Sequence, residues 1–316
     1  MQERHMSVEP SVLVIGASGI DIKGRALEPI QMGTANRGLI RSSIGGVARN
    51  IAENLVRLEV PTILLSAVGQ DEQGDYLLSR TAAAGVDTRY VLRLPDVHTG
   101  SYAVIQDHTG QLTISIGDYD IINAISPAYL QEQHELFAQS AMIVIDANLS
   151  AKSITTVFRL AKRYDVPVCA DPTTALLASK LLKYLPSLKM VAPDAAEAAK
   201  LCGLETAPTS SETAIATAQC LVSKGVQIGI VTLAEQGLAY ANSSSAGHIP
   251  ALHTQVVDTT GVGDALTAAV IFGLINDFPL DEAVRLGISA AALTLRTRET
   301  VSSDLSLDRL YDELVI

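Results

Sequence analysis

The sequence contains no tryptophan, four phenylalanines and three cysteines among 316 residues. Cys169, Cys202 and Cys220 are widely spaced and include no CxxC pair. That excludes a disulfide framework and a cysteine zinc site, and it fits a reducing, cytoplasmic compartment. The histidines form no HxH or HExxH spacing, so no zinc is expected. No apolar run approaches the roughly 18 residues of a membrane span. Met1–Pro10 is polar and lacks the apolar core of a secretory signal. Basic clusters interleaved with aromatics are also missing, and the net charge is -11. A nucleic-acid partner is therefore not expected, because phosphate backbones are bound by clustered lysine and arginine. A local positive site for a small anion is still compatible with an acidic protein.

What is present is apolar and rhythmic. Hydrophobic residues make up 48% of the chain and charged residues 18%, enough for a sizeable core. Val12–Ile15 is a short apolar run ending at a glycine, which reads as a buried parallel strand. Ile44–Leu58 carries Val47, Ile51, Leu55 and Leu58 on one helical face, and Thr62–Val68 reads as a second buried strand. Tyr76–Ala84 is expected to be a helix and Tyr90–Leu94 extended. From Met142 the alternation resumes: strand Met142–Asp146, helix Ile154–Tyr164, strand Val166–Ala170, helices Ala195–Cys202 and Ser211–Lys224, strand Gln227–Leu233. Such alternation predicts a mostly parallel sheet with helices on both faces, an α/β fold. Between Thr99 and Ile122 the period switches to two around the turn Asp107-His108-Thr109-Gly110, which predicts a hairpin projecting from the main body. Gly-rich Ile22–Ser43 is expected to supply its other strands. With no linker or repeat, residues 1–316 read as one domain with a small sheet from about 22–43 and 99–122.

The stretch richest in chemistry is Asp258-Thr259-Thr260-Gly261-Val262-Gly263-Asp264-Ala265, followed by the apolar helix Leu266–Ile275. Two glycines before a helix let backbone N–H groups converge, and the helix start adds unsatisfied donors and partial positive charge. That is an anion pocket, and Asp264 beside it can accept a proton from an attacking hydroxyl. Taken alone, GxGD could equally be a turn with Asp264 as a helix cap.

The segment Asp258–Asp264 resembles the C-terminal signature of the ribokinase-like (PfkB) carbohydrate and nucleoside kinases. Their second signature, a glycine pair and an asparagine at a helix start, is matched by Gly45-Gly46-Val47-Ala48-Arg49-Asn50. Both occur in the right order about 210 residues apart, which is more specific than either motif alone. The likeness extends to Gly16, Asp21, Ser66–Asp71 and Asp171-Pro172, and so covers nearly the whole chain. Within the family, Thr99-Gly100-Ser101-Tyr102, Asp146-Ala147-Asn148 and Asp304-Leu305-Ser306 are similar to the pattern of the pseudouridine kinases.

The resemblance implies a three-layer α/β/α sandwich with a β-sheet lid, ATP and magnesium as cofactors, and transfer to a primary (5′) hydroxyl. Asp264 would be the base, with the Gly261-Val262-Gly263 amides stabilising the transferred phosphoryl group. Asp21, Gly45, Gly46 and Asn50 would hold the acceptor, with Asn148 and Asp118 as further contacts to sugar or base. Thr232, Gly237 and Asp194 would approach ATP, and Asp194 and Glu197 would organise magnesium through water. Asp258 and Thr260 would help hold a potassium ion, and the lid would support a homodimer. Pseudouridine, another nucleoside such as adenosine, and a free sugar such as ribose or fructose all remain open as acceptor, as does a non-catalytic sensor of the same ligands.

Departures from the family pattern bear on efficiency and substrate choice. The usual Asn-x-x-Glu is Asp194-Ala195-Ala196-Glu197, Ala234 stands where glycine is common, Val262 where alanine is common, and Gly19 where asparagine is frequent. A dinucleotide-binding reading of Val12–Ile20 fails the GxGxxG test, since positions 16, 18 and 21 are Gly, Ser and Asp.

Overall fold

The computed structural model describes residues 11–314, so the polar Met1–Pro10 stretch lies outside the described residues. Val12–Ile15 shows how the core is organised. Side chains alternate across a strand, and Val12 and Val14 enter one apolar cluster while Leu13 and Ile15 enter another. All four are fully buried. The first cluster contains residues of the helices Val47–Arg57, Val262–Ile275 and Leu280–Leu295. The second draws on Ala151–Tyr164, Ala195–Cys202 and Ser211–Ser223. Helices therefore cover both faces of one sheet, in three layers.

That sheet has eight strands in the order Ala246–Ile249, Leu238–Ala241, Ile228–Thr232, Leu188–Val191, Val168–Asp171, Ser140–Asp146, Ser11–Ile15 and Thr62–Leu65. Pairing is parallel from Thr62–Leu65 through Ile228–Thr232, and the last two strands add an antiparallel edge. The expected small sheet is four-stranded, in the order Gly38–Gly45, Gly19–Ala26, Ser101–Gln106 and Leu112–Asp118. Its register sets two unlike faces. Ile40, Ile105, Ile114 and Ile116 lie on one and are exposed. Asp21, Lys23 and Tyr102 lie on the other.

Element boundaries differ from the sequence reading for local reasons. Ile44 and Gly45 end a strand, and the following helix begins only at Val47, because Gly46 turns the chain at φ 96°. Thr62–Val68 is two strands rather than one, separated at Ser66, whose hydroxyl donates to the Gly16 carbonyl at 2.7 Å. The helix read as Tyr76–Ala84 begins at Glu72, where the Asp71 carboxylate accepts from the Gly74 amide at 2.7 Å as N-cap. Among the described residues no helix is long and apolar enough to cross a membrane.

Candidate active site

Asp264 lies in the first turn of Val262–Ile275, whose N-cap, Gly261, has φ 80°. A side chain at Gly261 would strike the Thr300 carbonyl as well as strain this left-handed turn. No side chain caps this helix start. Gly263 is exposed, and nothing lies within 4 Å of where its side chain would be. Free amide donors therefore face open space, the arrangement an anion requires.

The two sequence motifs meet at Asp264. Asn50 Nδ2 donates to Asp264 Oδ2 at 2.7 Å. Arg49 Nη1 donates to Asn50 Oδ1 at 3.0 Å, and the Thr300 hydroxyl lies 3.0 Å from the same oxygen. Those contacts leave only one orientation for the amide, with its NH2 group toward Asp264. Arg49 is itself buried and ion-paired with Glu53, which also accepts from Arg57 at 2.7 Å. Burial pushes the Asp264 carboxyl well above the usual carboxylate range. The charges of Asp171, Asp21 and Asp146 push it the same way against the Asn50 bond.

Asp21 ends up beside Gly45, where any side chain would collide with its carboxylate. It is 4% exposed, yet no donor among the described residues hydrogen-bonds its carboxylate. Desolvation raises its pKa to about 6 despite the nearby cations Lys23 and Arg49. A buried carboxylate of this kind is a ready acceptor for ligand hydroxyls. Asp146 ties three segments together, accepting from the amides of Ala17 at 2.7 Å, Asn148 at 2.9 Å and Ala48 at 3.2 Å. Tyr119 packs where side chains at Gly19 or Gly100 would stand. Its phenol is pushed up by burial and by the charges of Asp21, Asp146 and Asp264. Asp118 is exposed at a strand end, and no hydrogen bond joins it to another candidate residue among those described.

On the other side of Asp264, Thr232 bridges to Asp194. Gly237 closes the adjoining loop at φ 90°, its carbonyl accepting from the Leu233 amide at 2.8 Å. Asp194 and Glu197 form a reciprocal cap: Glu197 N donates to Asp194 Oδ1 at 2.8 Å and Asp194 N to Glu197 Oε2 at 2.9 Å. Burial, then the charges of Asp171 and Asp194, raise Glu197 to about 8. Burial and the charges of Asp146 and Asp194 raise Asp171 to about 7. Mutually repelling carboxylates call for a cation, and magnesium fits them. Among the described residues no three His, Cys, Asp or Glu side chains are grouped to grip a metal directly.

A lysine stands at the place expected for potassium. Lys23 Nζ donates to Asp258 Oδ1 and Oδ2, both at 2.7 Å, and to Thr260 Oγ1 at 2.5 Å. A lysine ammonium already neutralises the carboxylate that a second cation would need.

Sequence reading missed Lys23, Arg49, Tyr119, Asp146, Asp171 and Thr300. Two of these carried a signal: Asp146 and Asp171 each end an apolar parallel strand, the edge where open α/β sheets bind ligands. Lys23 stands two residues beyond Asp21 on one strand and so shares its face. Nothing in the sequence marks Thr300.

The model of the pfkB family carbohydrate kinases matches residues 9–306. The pseudouridine kinase of Escherichia coli (strain K12) is 32% identical over 297 residues, covering 94% of each chain. A solved carbohydrate kinase from Agrobacterium tumefaciens superposes with a TM-score of 0.81 at 27% identity, over 97% of both chains. A candidate ribokinase II from Escherichia coli, solved with ATP and magnesium, gives 0.82 at 21% identity, over 97% of this chain and 99% of that one, and so shares the ribokinase-like fold.

Proposed function

The chain belongs to the pfkB family of carbohydrate kinases and is a phosphotransferase acting on a sugar or nucleoside hydroxyl, and from that premise we propose that it transfers the γ-phosphoryl group of ATP to the primary (5′) hydroxyl of pseudouridine. The observation that carries this reading is the Asn50–Asp264 hydrogen bond at the uncapped helix start. It supports a reading in which Asn50 serves the acceptor, Asp264 is the base and the adjoining helix amides receive the anion.

In this reading the ribose hydroxyls bind Asp21 and Asn50 against Gly45 and Gly46, with Asn148 and Asp118 toward the base. Asp264 takes the proton of the 5′ hydroxyl as its oxygen attacks the γ-phosphorus and ADP departs. The amides of Gly261, Val262, Gly263 and Asp264 stabilise charge on the transferred group, so positioning and electrostatics supply most of the acceleration. Thr232 and Gly237 border the nucleotide, and Asp194 and Glu197 would hold magnesium through water, where it would neutralise phosphate charge. Residues 1–316 act as one domain, with the small sheet (about 22–43 and 99–122) closing over the acceptor to exclude water. Its exposed isoleucine face pairs with a second copy of this chain. Ile116→Asp should yield monomers in sedimentation, and unchanged sedimentation would remove the pairing.

The test is ADP release from ATP and magnesium with pseudouridine, uridine, adenosine, inosine, ribose and fructose. Turnover confined to pseudouridine is the expected result. Turnover with another acceptor keeps the kinase and removes the pseudouridine assignment.

A further inference from the structure

We propose that Lys23 is a built-in monovalent cation, orders the phosphate loop in place of potassium, and makes that order depend on the small sheet being seated. The inference rests on the kinase reading above, but it can be tested apart from it.

Asp258 and Thr260 immediately precede the Gly261 turn that aims the helix amides. The Thr260 amide donates to Asp258 Oδ1 at 2.9 Å, so the carboxylate shapes the turn itself. Lys23 engages both carboxylate oxygens and the Thr260 hydroxyl, three acceptors for the three protons of an ammonium. The side chains of the pair are only 13% and 14% exposed, so this is not a solvated surface contact. The carboxylate is thus already matched by one positive charge.

The origin of the lysine gives the contact its consequence. It reaches 235 residues along the chain, from the strand Gly19–Ala26 of the small sheet to the phosphate loop of the main body. Asp21, on the same face of that strand, lies at the acceptor side. A diffusible ion would order the loop whatever the position of the sheet. A tethered ammonium orders it only when the strand that carries Asp21 is in place. The device therefore couples acceptor closure to readiness of the phosphate pocket, and it suppresses transfer to water when the sheet is open.

The experiment compares potassium chloride with tetramethylammonium chloride at equal ionic strength. Two readouts are used: melting temperature of the full chain without nucleotide, and ADP release with the best acceptor of the panel. Wild type should show the same melting temperature in both salts, and rates within about twofold, since no vacant cation site remains to be filled. Lys23→Met should lose roughly 10-fold or more in rate in tetramethylammonium, the scale of a lost charged hydrogen bond. Potassium, but not tetramethylammonium, should then raise both its rate and its melting temperature. The double variant Lys23→Met/Asp258→Asn keeps the site neutral if the single variant folds poorly, and it should respond to neither salt. Potassium raising the wild-type melting temperature or rate several-fold more than tetramethylammonium overturns the proposal, as does a Lys23→Met variant indifferent to potassium. If no acceptor is phosphorylated, the kinase reading fails while the melting comparison still decides the role of Lys23.

Discussion

Replacing Asp21 with asparagine should make the protein more stable and its acceptor binding worse. The carboxylate is buried, lacks a hydrogen-bond donor among the described residues, and has its pKa raised from 3.8 to about 6. A raised carboxylate pKa means that the folded state holds its proton more tightly than the unfolded chain. The penalty for ionising it is therefore absent below about pH 4, grows as pH rises to about 6, and is complete above that. A shift of about two units at 1.36 kcal/mol each amounts to roughly 3 kcal/mol. For 316 residues the unfolding entropy near the midpoint is about 0.7 kcal/mol/K. Asp21→Asn should accordingly melt up to about 4 °C above wild type at pH 8 and level with it near pH 4. This is a ceiling, because the amide also seeks partners. In the same variant, acceptor hydroxyls lose a charged partner worth about 1.5–3 kcal/mol, so the acceptor KM should rise roughly 10- to 100-fold. Scanning calorimetry across pH and initial rates on one preparation test both halves. A melting difference that does not grow between pH 4 and pH 8, together with an unchanged KM, would refute the reasoning.

Asp264→Asn should lower kcat by roughly 100-fold or more while leaving the melting temperature at pH 8 equal or higher, since a buried charge is removed; near-normal turnover excludes Asp264 as the base. Glu197→Gln should raise the magnesium concentration for half-maximal rate by roughly tenfold, the scale of outer-sphere ligand changes, and an unaltered magnesium curve would remove Glu197 from the metal site. Ala234 holds φ at 49°, a left-handed conformation that costs about 1–2 kcal/mol outside glycine. Ala234→Gly should therefore raise the melting temperature by roughly a degree or more, and a lower one would show that alanine packing outweighs the strain.

The sequence was most legible where one local pattern reported one fact. Val12–Ile15 is a buried strand because all four residues are apolar, and the hairpin at Ser101–Asp118 shows in its alternation around a turn. The break at Ser66 was invisible because it comes from a hydroxyl reaching a carbonyl 50 residues away. The site divides in the same way. Asp264, Asn50 and Asp21 stand in short motifs with their own local chemistry. Lys23 and Arg49 are ordinary residues until the fold brings Asp258 and Thr300 to them. Hydrophobic periodicity carries no information about those meetings.

The Asn50 amide also has a consequence for synthesis. It is oriented with Thr300, 250 residues later, and donates to Asp264, 214 residues later. At about 5–20 residues per second, the ribosome needs on the order of 10 to 50 seconds to deliver Thr300 after Asn50. For most of that interval the nascent chain has its glycine pair and its Asp21 but neither Asp264 nor Thr300. Chains aborted before Thr300 would retain most of the acceptor motif while lacking the clamp on Asn50. Any chemistry that needs Asn50 held in this orientation therefore waits until Thr300 has been made.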